Sequence, residues 1–246
     1  SFNMPEEGRD WETLSREMQE RGGDDVKWRD GKTAVYVFNA GPDVAKVQKA
    51  AYTMYMSENG LGPLAFPSLK QMEDEVISMA MGLLHGDENA VGNITSGGTD
   101  SITMAVYAAR QLARSQGKTG QLNLVLPRSG HPAFAKACKM LEIELRRVPI
   151  NEETYMADPE AMDAAIDDHT MMLVGSAPNF PHGVIDPIEA LAVVAEKHNL
   201  WLHVDACVGG YFAPFARMNG VPVPAFDFEI PAVHSISADL HKYGYA

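Results

Sequence analysis

The stretch TMMLVGSAPNFPHGVIDPIEALAVVAEKHNLWLHVDA, residues 170–206, decides the fold. Its two ends, at 170–176 and 200–206, are short apolar runs typical of buried strands, and residues 187–198 between them have helical spacing. A strand, a helix and a second strand in this order predict a parallel strand pair, because the helix carries the chain back across the sheet. The stretch therefore indicates an α/β protein.

The same alternation extends over much of the chain. Further strands are predicted at 91–95, 122–126, 143–150 and 233–238, and further helices at 98–115, 131–141 and 159–166. This order predicts a mostly parallel sheet with helices on both faces. The preceding sequence is mainly helical in pattern, with helices that begin near Asp10, Pro42 and Ser68. We expect an N-terminal helical segment over residues 1–60 and a larger domain over residues 61–246.

Composition narrows the possible partners. The chain has 246 residues, 46% of them hydrophobic, and its 33 acidic and 20 basic residues give a net charge of −13. Nucleic-acid phosphates and anionic lipid headgroups would repel such a chain, so neither nucleic acid nor a membrane is expected as a partner. Small molecules and further copies of the chain fit better.

Cysteine content and hydropathy predict a cytoplasmic location. Cys138 and Cys207 cannot form a disulfide framework, which fits a reducing compartment. No apolar run approaches the roughly 18 to 20 residues of a membrane helix, and the acidic N-terminal sequence does not resemble a signal peptide. The chain starts without a methionine and stops soon after a predicted strand, so we expect it to be part of a longer protein.

A turn rich in glycine joins the predicted strand at 91–95 to the predicted helix at 98–115. It contains Ser96, Gly97, Gly98 and Thr99. Glycines let an anion approach the backbone, and the free amides of a helix N-terminus favour negative charge. The pattern is neither GxGxxG nor a P-loop, so it predicts neither NAD nor ATP. The turn is either a phosphate-binding turn or a tight turn capped by Ser or Thr.

Two further strand ends carry ionisable residues. Asp205 ends an apolar strand and needs a cationic or hydrogen-bonding partner, unless it caps the turn that contains Gly209 and Gly210. Lys242 follows the run at 233–238, where a lysine alone is usually a solvated strand end. Together with a phosphate-binding turn, these residues match what pyridoxal phosphate requires: a helix N-terminus, an Asp for the pyridine nitrogen and a Lys for the Schiff base.

The histidines add one candidate. His131 opens the predicted helix at 131–141, where an imidazole either stacks on a flat cofactor ring or caps the helix. The remaining histidines have no spacing typical of metal ligands, so no metal is assigned. Cys207 has no paired base in the sequence that would make it a nucleophile.

Five segments carry a resemblance to a known family: TSGGTDSITMAVYAAR (95–110), HPAFAKA (131–137), HVDACVGGYFAPF (203–215), SISADLHKYGYA (235–246) and, more weakly, FPSLKQMEDEVISM (66–79). With them the chain resembles the pyridoxal-phosphate-dependent decarboxylase family, and within it sphingosine-1-phosphate lyases most. The resemblance implies the large domain of a fold-type-I enzyme that lacks its C-terminal part, a homodimer, and pyridoxal 5′-phosphate as cofactor.

The resemblance also implies roles for individual residues. Lys242 would form the Schiff base, Asp205 would face the pyridine nitrogen, and His131 would stack on the ring. The remaining cofactor contacts would come from Ser96, Gly97, Gly98, Thr99 and His241 around the phosphate and from Cys207 on the other face of the ring. Asn59 would lie near the substrate. Where the lyases have Asn-Pro-Leu-His, this chain has Asn59-Gly60-Leu61-Gly62, so a histidine used near the substrate is missing.

The expected function is therefore that of a pyridoxal-phosphate-dependent carbon–carbon lyase acting on a small-molecule amine, like the aldehyde-lyase sphingosine-1-phosphate lyase. One alternative is an amino-acid decarboxylase with the same cofactor. Another is a truncated cofactor-binding fragment without activity. A third, a dinucleotide-binding Rossmann domain, predicts NAD binding instead.

Overall fold

The computed structural model describes residues 3–33 and 35–246. Contacts divide the chain into two compact units, one that ends at Phe38 and one that runs from Asn39 to Ala246. In the first unit, helix α1 (Trp11–Arg21) begins where the Asp10 carboxylate accepts a hydrogen bond from the Thr13 amide at 2.8 Å. The domain boundary expected between residues 60 and 61 stays a prediction.

The second unit alternates helices and strands. After α2 (Pro42–Met54) and α3 (Pro67–Leu83) come α4 (Gly98–Ser115), β1 (Asn123–Pro127), α5 (Ala133–Leu141), β2 (Glu144–Val148), α6 (Pro159–Ala164), β3 (Thr170–Ser176), α7 (Ile188–His198), β4 (Trp201–Asp205), α8 (Ala213–Met218) and β5 (Val233–Ser237).

The strands form one parallel sheet in the order β2-β1-β3-β4-β5. In its register Ser176 lies beside Asp205, and Asp205 lies beside Ser237. The carboxyl ends of β3, β4 and β5 are therefore level at one edge of the sheet. Ligands bind at this edge in open parallel sheets.

The core lies on both sides of the sheet, because successive strand residues point to opposite faces. Leu173 of β3 packs in a cluster with Leu191 of α7, whereas its neighbours Met172 and Val174 pack in a second cluster with Phe134 of α5. The predicted α/β architecture, a parallel sheet covered by helices on both faces, is confirmed. In the part of the chain that the structure describes, no helix is both long and apolar enough to cross a bilayer.

The strand expected at residues 91–95 is wrong, because this segment has no regular secondary structure. A strand forms only where its backbone groups pair with a neighbour, and the sheet that the structure describes ends at β5 without pairing with this segment. Val91 is consequently 90% exposed. The helix that follows nevertheless begins at Gly98, as predicted.

Candidate functional site

Lys242 lies beyond the end of β5 in a short turn that begins at Asp239. Its Nζ atom is 3.0 Å from Oδ2 of Asp239, and the side chains of Lys242 and Asp239 are 21% and 4% exposed. The imidazole of His241 lies beside the same carboxylate, with Nε2 3.7 Å from Oδ2. Lys242 is therefore a largely buried, ion-paired lysine rather than a solvated strand end.

Asp205 is buried at the end of β4. Its Oδ1 accepts a hydrogen bond from the Cys207 amide at 3.1 Å, so it also closes the local turn, as the alternative interpretation proposed. Burial raises the pKa of Asp205, whereas the bonds from Cys207 and the charges of His131 and Lys242 act in the opposite direction. The fold thus places Asp205 within electrostatic range of both His131 and Lys242.

The turn before α4 has the geometry of an anion site. Gly97 is the N-cap, its φ of 148° is one that L-residues rarely adopt, and no side chain caps the helix. The first helical bonds start from the amides of Asp100 and Ser101, so the amides of Gly98 and Thr99 precede the hydrogen-bonded turn. The alternative of a Ser or Thr cap is therefore wrong.

Contacts on either side of this turn fix its position. Ser96 donates from both its amide and its hydroxyl to Oδ2 of Asp100, at 3.1 and 3.2 Å. A Cβ atom on Gly98 would lie 2.7 Å from Oδ2 of Asp239 and 3.0 Å from Sγ of Cys207. A Cβ on Gly97 would lie 3.9 Å from Cε1 of His241. The backbone of the turn therefore passes directly beside the Asp239 and Cys207 side chains.

His131 lies just before α5, at the carboxyl end of β1. Its Nδ1 accepts a hydrogen bond from the Ala133 amide at 3.1 Å, which is the capping role considered above. Its ring also contacts Phe180 edge-on, with centroids 6.2 Å apart. These contacts fix the orientation of the ring, while its predicted stacking on a cofactor stays a prediction.

A largely apolar cavity of about 590 Å³ adjoins the turn before α4. Its walls come from α3, residues 91–97, α4 and β5, and its polar lining includes Ser96, Gly97, Tyr211, Asp239 and His241. Asp205, Lys242 and His131 are not among its lining residues. Asn59 lies elsewhere, in an exposed loop where its Oδ1 accepts a hydrogen bond from the Leu61 amide at 3.1 Å. Its role near a substrate stays a prediction.

Cys207 and His203 lie in a buried polar chain behind the site. Both ring nitrogens of His203 form hydrogen bonds, Nδ1 with Ser235 Oγ at 2.8 Å and Nε2 with Ser237 Oγ at 3.2 Å. Ser237 Oγ also accepts a hydrogen bond from Sγ of Cys207 at 3.4 Å. Burial lowers the pKa of His203 to about 3, so the ring is neutral. Burial and the charges of Asp205 and Asp239 raise the pKa of Cys207, which keeps it a thiol rather than a nucleophilic thiolate.

Sequence reasoning missed Asp239 and Tyr211. Asp239 is 6% exposed and pairs with Lys242. The sequence pattern that could have revealed it is its position three residues before that lysine, directly after the same predicted strand. Tyr211 lines the cavity, and burial together with the charge of Asp239 raises the pKa of its phenol. No pattern in the sequence relates Tyr211 to Asp239, since only the turn after β4 brings them together.

Comparison with known proteins gives a consistent result. A family model described as the pyridoxal-dependent decarboxylase conserved domain matches residues 3–246. A sphingosine-1-phosphate lyase of Dictyostelium discoideum is 39% identical over 246 residues, which cover 100% of this chain and 46% of that protein. A probable L-aspartate decarboxylase of Pyrococcus furiosus is 36% identical over 245 residues, which cover 100% of this chain and 64% of that protein.

A solved structure, that of a sphingosine-1-phosphate lyase of Burkholderia pseudomallei, superposes on the whole chain with a TM-score of 0.93 and 37% sequence identity. The superposition covers 58% of that structure's chain. The chain thus spans between 46% and 64% of the length of these three proteins.

Proposed function

Because this chain belongs to the pyridoxal-dependent decarboxylase family, we propose that it forms the cofactor-binding part of a lyase that acts on an amine substrate. Membership confirms the family that the sequence predicted, and pyridoxal 5′-phosphate as the cofactor follows from it. The activity of the whole protein is the proposal, since the chain spans only part of its relatives.

One observation carries the proposal: a largely buried lysine, a buried aspartate and an uncapped helix N-terminus converge at the carboxyl edge of the sheet. The amides of Gly98 and Thr99 have no helical acceptor, and glycine at 97 and 98 leaves room for an anion to approach. A phosphate group fits such a turn. The imidazole of His241 borders the same turn, since its Cε1 atom would lie 3.9 Å from a Cβ on Gly97.

Each residue then has a defined task. Lys242 would hold the aldehyde end of the cofactor, and its amine would accept or donate a proton at the amine-bearing carbon of the substrate. Asp205, whose pKa is raised by burial against the opposing hydrogen bond from the Cys207 amide, would hold a proton on the pyridine nitrogen. When bound, the cofactor supplies an electron sink for bond cleavage next to the substrate amine. His131 and Cys207 would enclose the ring between them.

The substrate is proposed to be a phosphorylated amino alcohol that is cleaved at a carbon–carbon bond. The D. discoideum and B. pseudomallei proteins, both named sphingosine-1-phosphate lyases, support this choice. The P. furiosus protein, named a probable L-aspartate decarboxylase, and the glycine at position 62 favour an amino-acid decarboxylase as the second candidate. Assays of the protein with both substrate classes discriminate these, and turnover of neither supports the inactive fragment.

The cofactor site is tested by borohydride reduction. With pyridoxal 5′-phosphate, the protein is expected to gain a visible absorbance band, and after reduction peptide mapping should find the label on Lys242. Lys242→Ala should lose both the band and the label. Lys197→Ala is the matched control, because Lys197 is an exposed lysine that pairs with Asp163 and is not one of the proposed cofactor-binding residues. A label on another lysine, or none, contradicts the proposed site.

We also propose a homodimer, which the resemblance implies and exposed apolar side chains support. Large apolar side chains are exposed on α2, near residues 61–64 and at residue 91: Val47, Tyr52, Met54, Leu61, Leu64 and Val91. Leu61 and Leu64 are 95% and 98% exposed, which is costly for a lone chain. Light scattering should give twice the 26.8 kDa chain mass, and a monomeric mass would contradict the proposal.

We propose a cytoplasmic location because of the state of the two cysteines. Cys138 and Cys207 are both free and buried, as expected in a reducing compartment. Fractionation of cells that express the protein tests this location.

A further inference from the structure

A second cluster of ligand-type side chains lies at the C-terminal end of α3 and includes none of the residues assigned to the cofactor. His85 follows α3 with a φ of 57°, a left-handed conformation that turns the chain out of the helix. Asp227 and Glu229 come from the segment between α8 and β5. The Phe228 amide donates to the Leu84 carbonyl at 3.2 Å, which holds this segment against the helix end. We call His85, Asp227 and Glu229 the α3-end cluster.

The three side chains are close enough to share one ligand. Nδ1 of His85 is 3.0 Å from Oδ1 of Asp227, and one ligand-type atom from each of the three residues lies within 4.8 Å of the others. The Asp227 side chain is 1% exposed, whereas those of His85 and Glu229 are 51% and 36% exposed. The cluster therefore has a buried base and an open side that solvent reaches.

A second observation indicates that a cation belongs here. Oδ1 of Asp227 accepts from the Glu229 amide at 3.0 Å in addition to its contact with His85, but Oδ2 is buried and has no hydrogen-bond partner in the described residues. A buried carboxylate oxygen without a partner costs free energy, because it has given up its water without replacement. A cation bound at this carboxylate would supply the missing partner.

We propose that the α3-end cluster binds a divalent transition-metal ion, Zn²⁺ in particular. An imidazole nitrogen and two carboxylate oxygens form a ligand set that Zn²⁺ commonly uses, with water in the fourth position. Ligand atoms around a tetrahedral Zn²⁺ are about 3.3 Å apart, given bonds of about 2.0 to 2.1 Å. Nδ1 of His85 and Oδ1 of Asp227, 3.0 Å apart, are already near that separation. The ligand atom of Glu229 lies within 4.8 Å of the others, so it must move by up to about 1.5 Å to reach the same geometry.

The neighbouring arginine is compatible with this site. Nη1 of Arg217 donates to Oε1 of Glu229 at 2.8 Å, and no contact within the described residues occupies Oε2. Glu229 can therefore bind the metal with one oxygen and keep Arg217 on the other, an arrangement in which the arginine orients a metal-binding carboxylate. The bound metal would join the end of α3 to the segment that leads into β5. The site does not depend on the proposed cofactor or activity.

Zinc binding is tested on chelator-treated protein by calorimetric titration with Zn²⁺ alone. We expect one saturable site per chain, and a rise in Tm with Zn²⁺ concentration, because a ligand that binds only the folded state stabilises it. His85→Gln and Glu229→Gln should each raise Kd at least tenfold. Asp227→Asn should do the same. Asp87→Asn is the matched control, since it removes one negative charge two residues from His85 but outside the cluster, and should leave Kd unchanged.

Three results would overturn the site. The first is the absence of saturable zinc binding by the wild-type protein. The second is an unchanged Kd in both His85→Gln and Glu229→Gln, whose exposed positions make misfolding less of a concern than at Asp227. If His85 and Asp227 form only a structural contact, His85→Gln lowers Tm equally with and without Zn²⁺, and that outcome also refutes the proposal.

Discussion

Replacement of Gly98 by alanine tests the close packing of the helix N-terminus against the acidic turn. A Cβ at this position would lie 2.7 and 2.8 Å from the two carboxylate oxygens of Asp239 and 3.0 Å from Sγ of Cys207. Ordinary contacts need about 3.5 Å, so the Asp239 carboxylate must move by about 0.8 Å. That carboxylate is buried and 3.0 Å from the Lys242 amine, so the movement also disturbs the lysine.

Overpacking of this kind typically costs about 1 to 3 kcal/mol. We expect Gly98→Ala to lower the free energy of unfolding in urea by that amount, and to weaken binding of pyridoxal 5′-phosphate in a fluorescence titration. Gly82→Ala is the control. It lies inside α3 with nothing within 4 Å of the added Cβ, and should stabilise the protein by about 0.5 to 1 kcal/mol through helix propensity.

The reasoning is refuted if Gly98→Ala is as stable as the wild-type protein and binds the cofactor with the same Kd. Such a result would mean that the Asp239 and Cys207 side chains adapt without loss, and that the turn does not require glycine at this position. Gly98→Ala could instead lower the stability of the cofactor-free protein without any change in cofactor affinity. That result would support the packing argument and contradict the phosphate-binding argument.

Three further predictions concern chemistry, specificity and pH. Asp205→Asn should retain the cofactor but remove most activity from the complete enzyme, since an amide cannot hold the proton on the ring nitrogen. If the variant turned over at the wild-type rate, the role of Asp205 would be only to close the local turn. Gly62→His should raise kcat/KM for a phosphorylated amino alcohol more than for an amino acid. Position 62 has room for a Cβ atom, because only the Cβ of Ala65 lies near it, at 4.0 Å. Equal or harmful effects on both substrates would argue against this prediction. The pKa of buried His203 is lowered from 6.5 to about 3, so its contribution to stability is complete above pH 6.5 and is lost as the pH falls towards 3. This costs about 2 kcal/mol between pH 6.5 and pH 5, and urea titrations of His203→Gln should show a pH dependence smaller by that amount.

The local sequence pattern was sufficient to predict most of the fold. The apolar runs at 170–176 and 200–206 became β3 and β4 almost residue for residue, because a strand with both faces buried must be apolar along its whole length. The segment at 91–95, in which Val91 and Ile94 are the apolar residues, was also predicted to be a strand but forms none. Its hydrogen-bonding partner cannot be inferred from its own residues, since pairing is a property of two segments.

For the site, the sequence by itself determined which residue types end the strands, and parallel pairing then made their convergence predictable. Asp205 ends β4 and Lys242 follows β5. These two strands are adjacent in the sheet, and both residues lie at its carboxyl edge. The glycines before α4 could likewise be recognised, because a helix N-terminus that binds an anion needs them.

Only the tertiary structure decided the contacts between segments that no spacing relates. The closeness of Asp239 to Gly98 depends on how the turn after β5 folds against the start of α4. His85 and Asp227 are 142 residues apart and meet only because the Phe228 amide binds the end of α3. Periodicity reports which face of an element is buried, but the position of a side chain relative to a distant segment depends on the packing of the whole core.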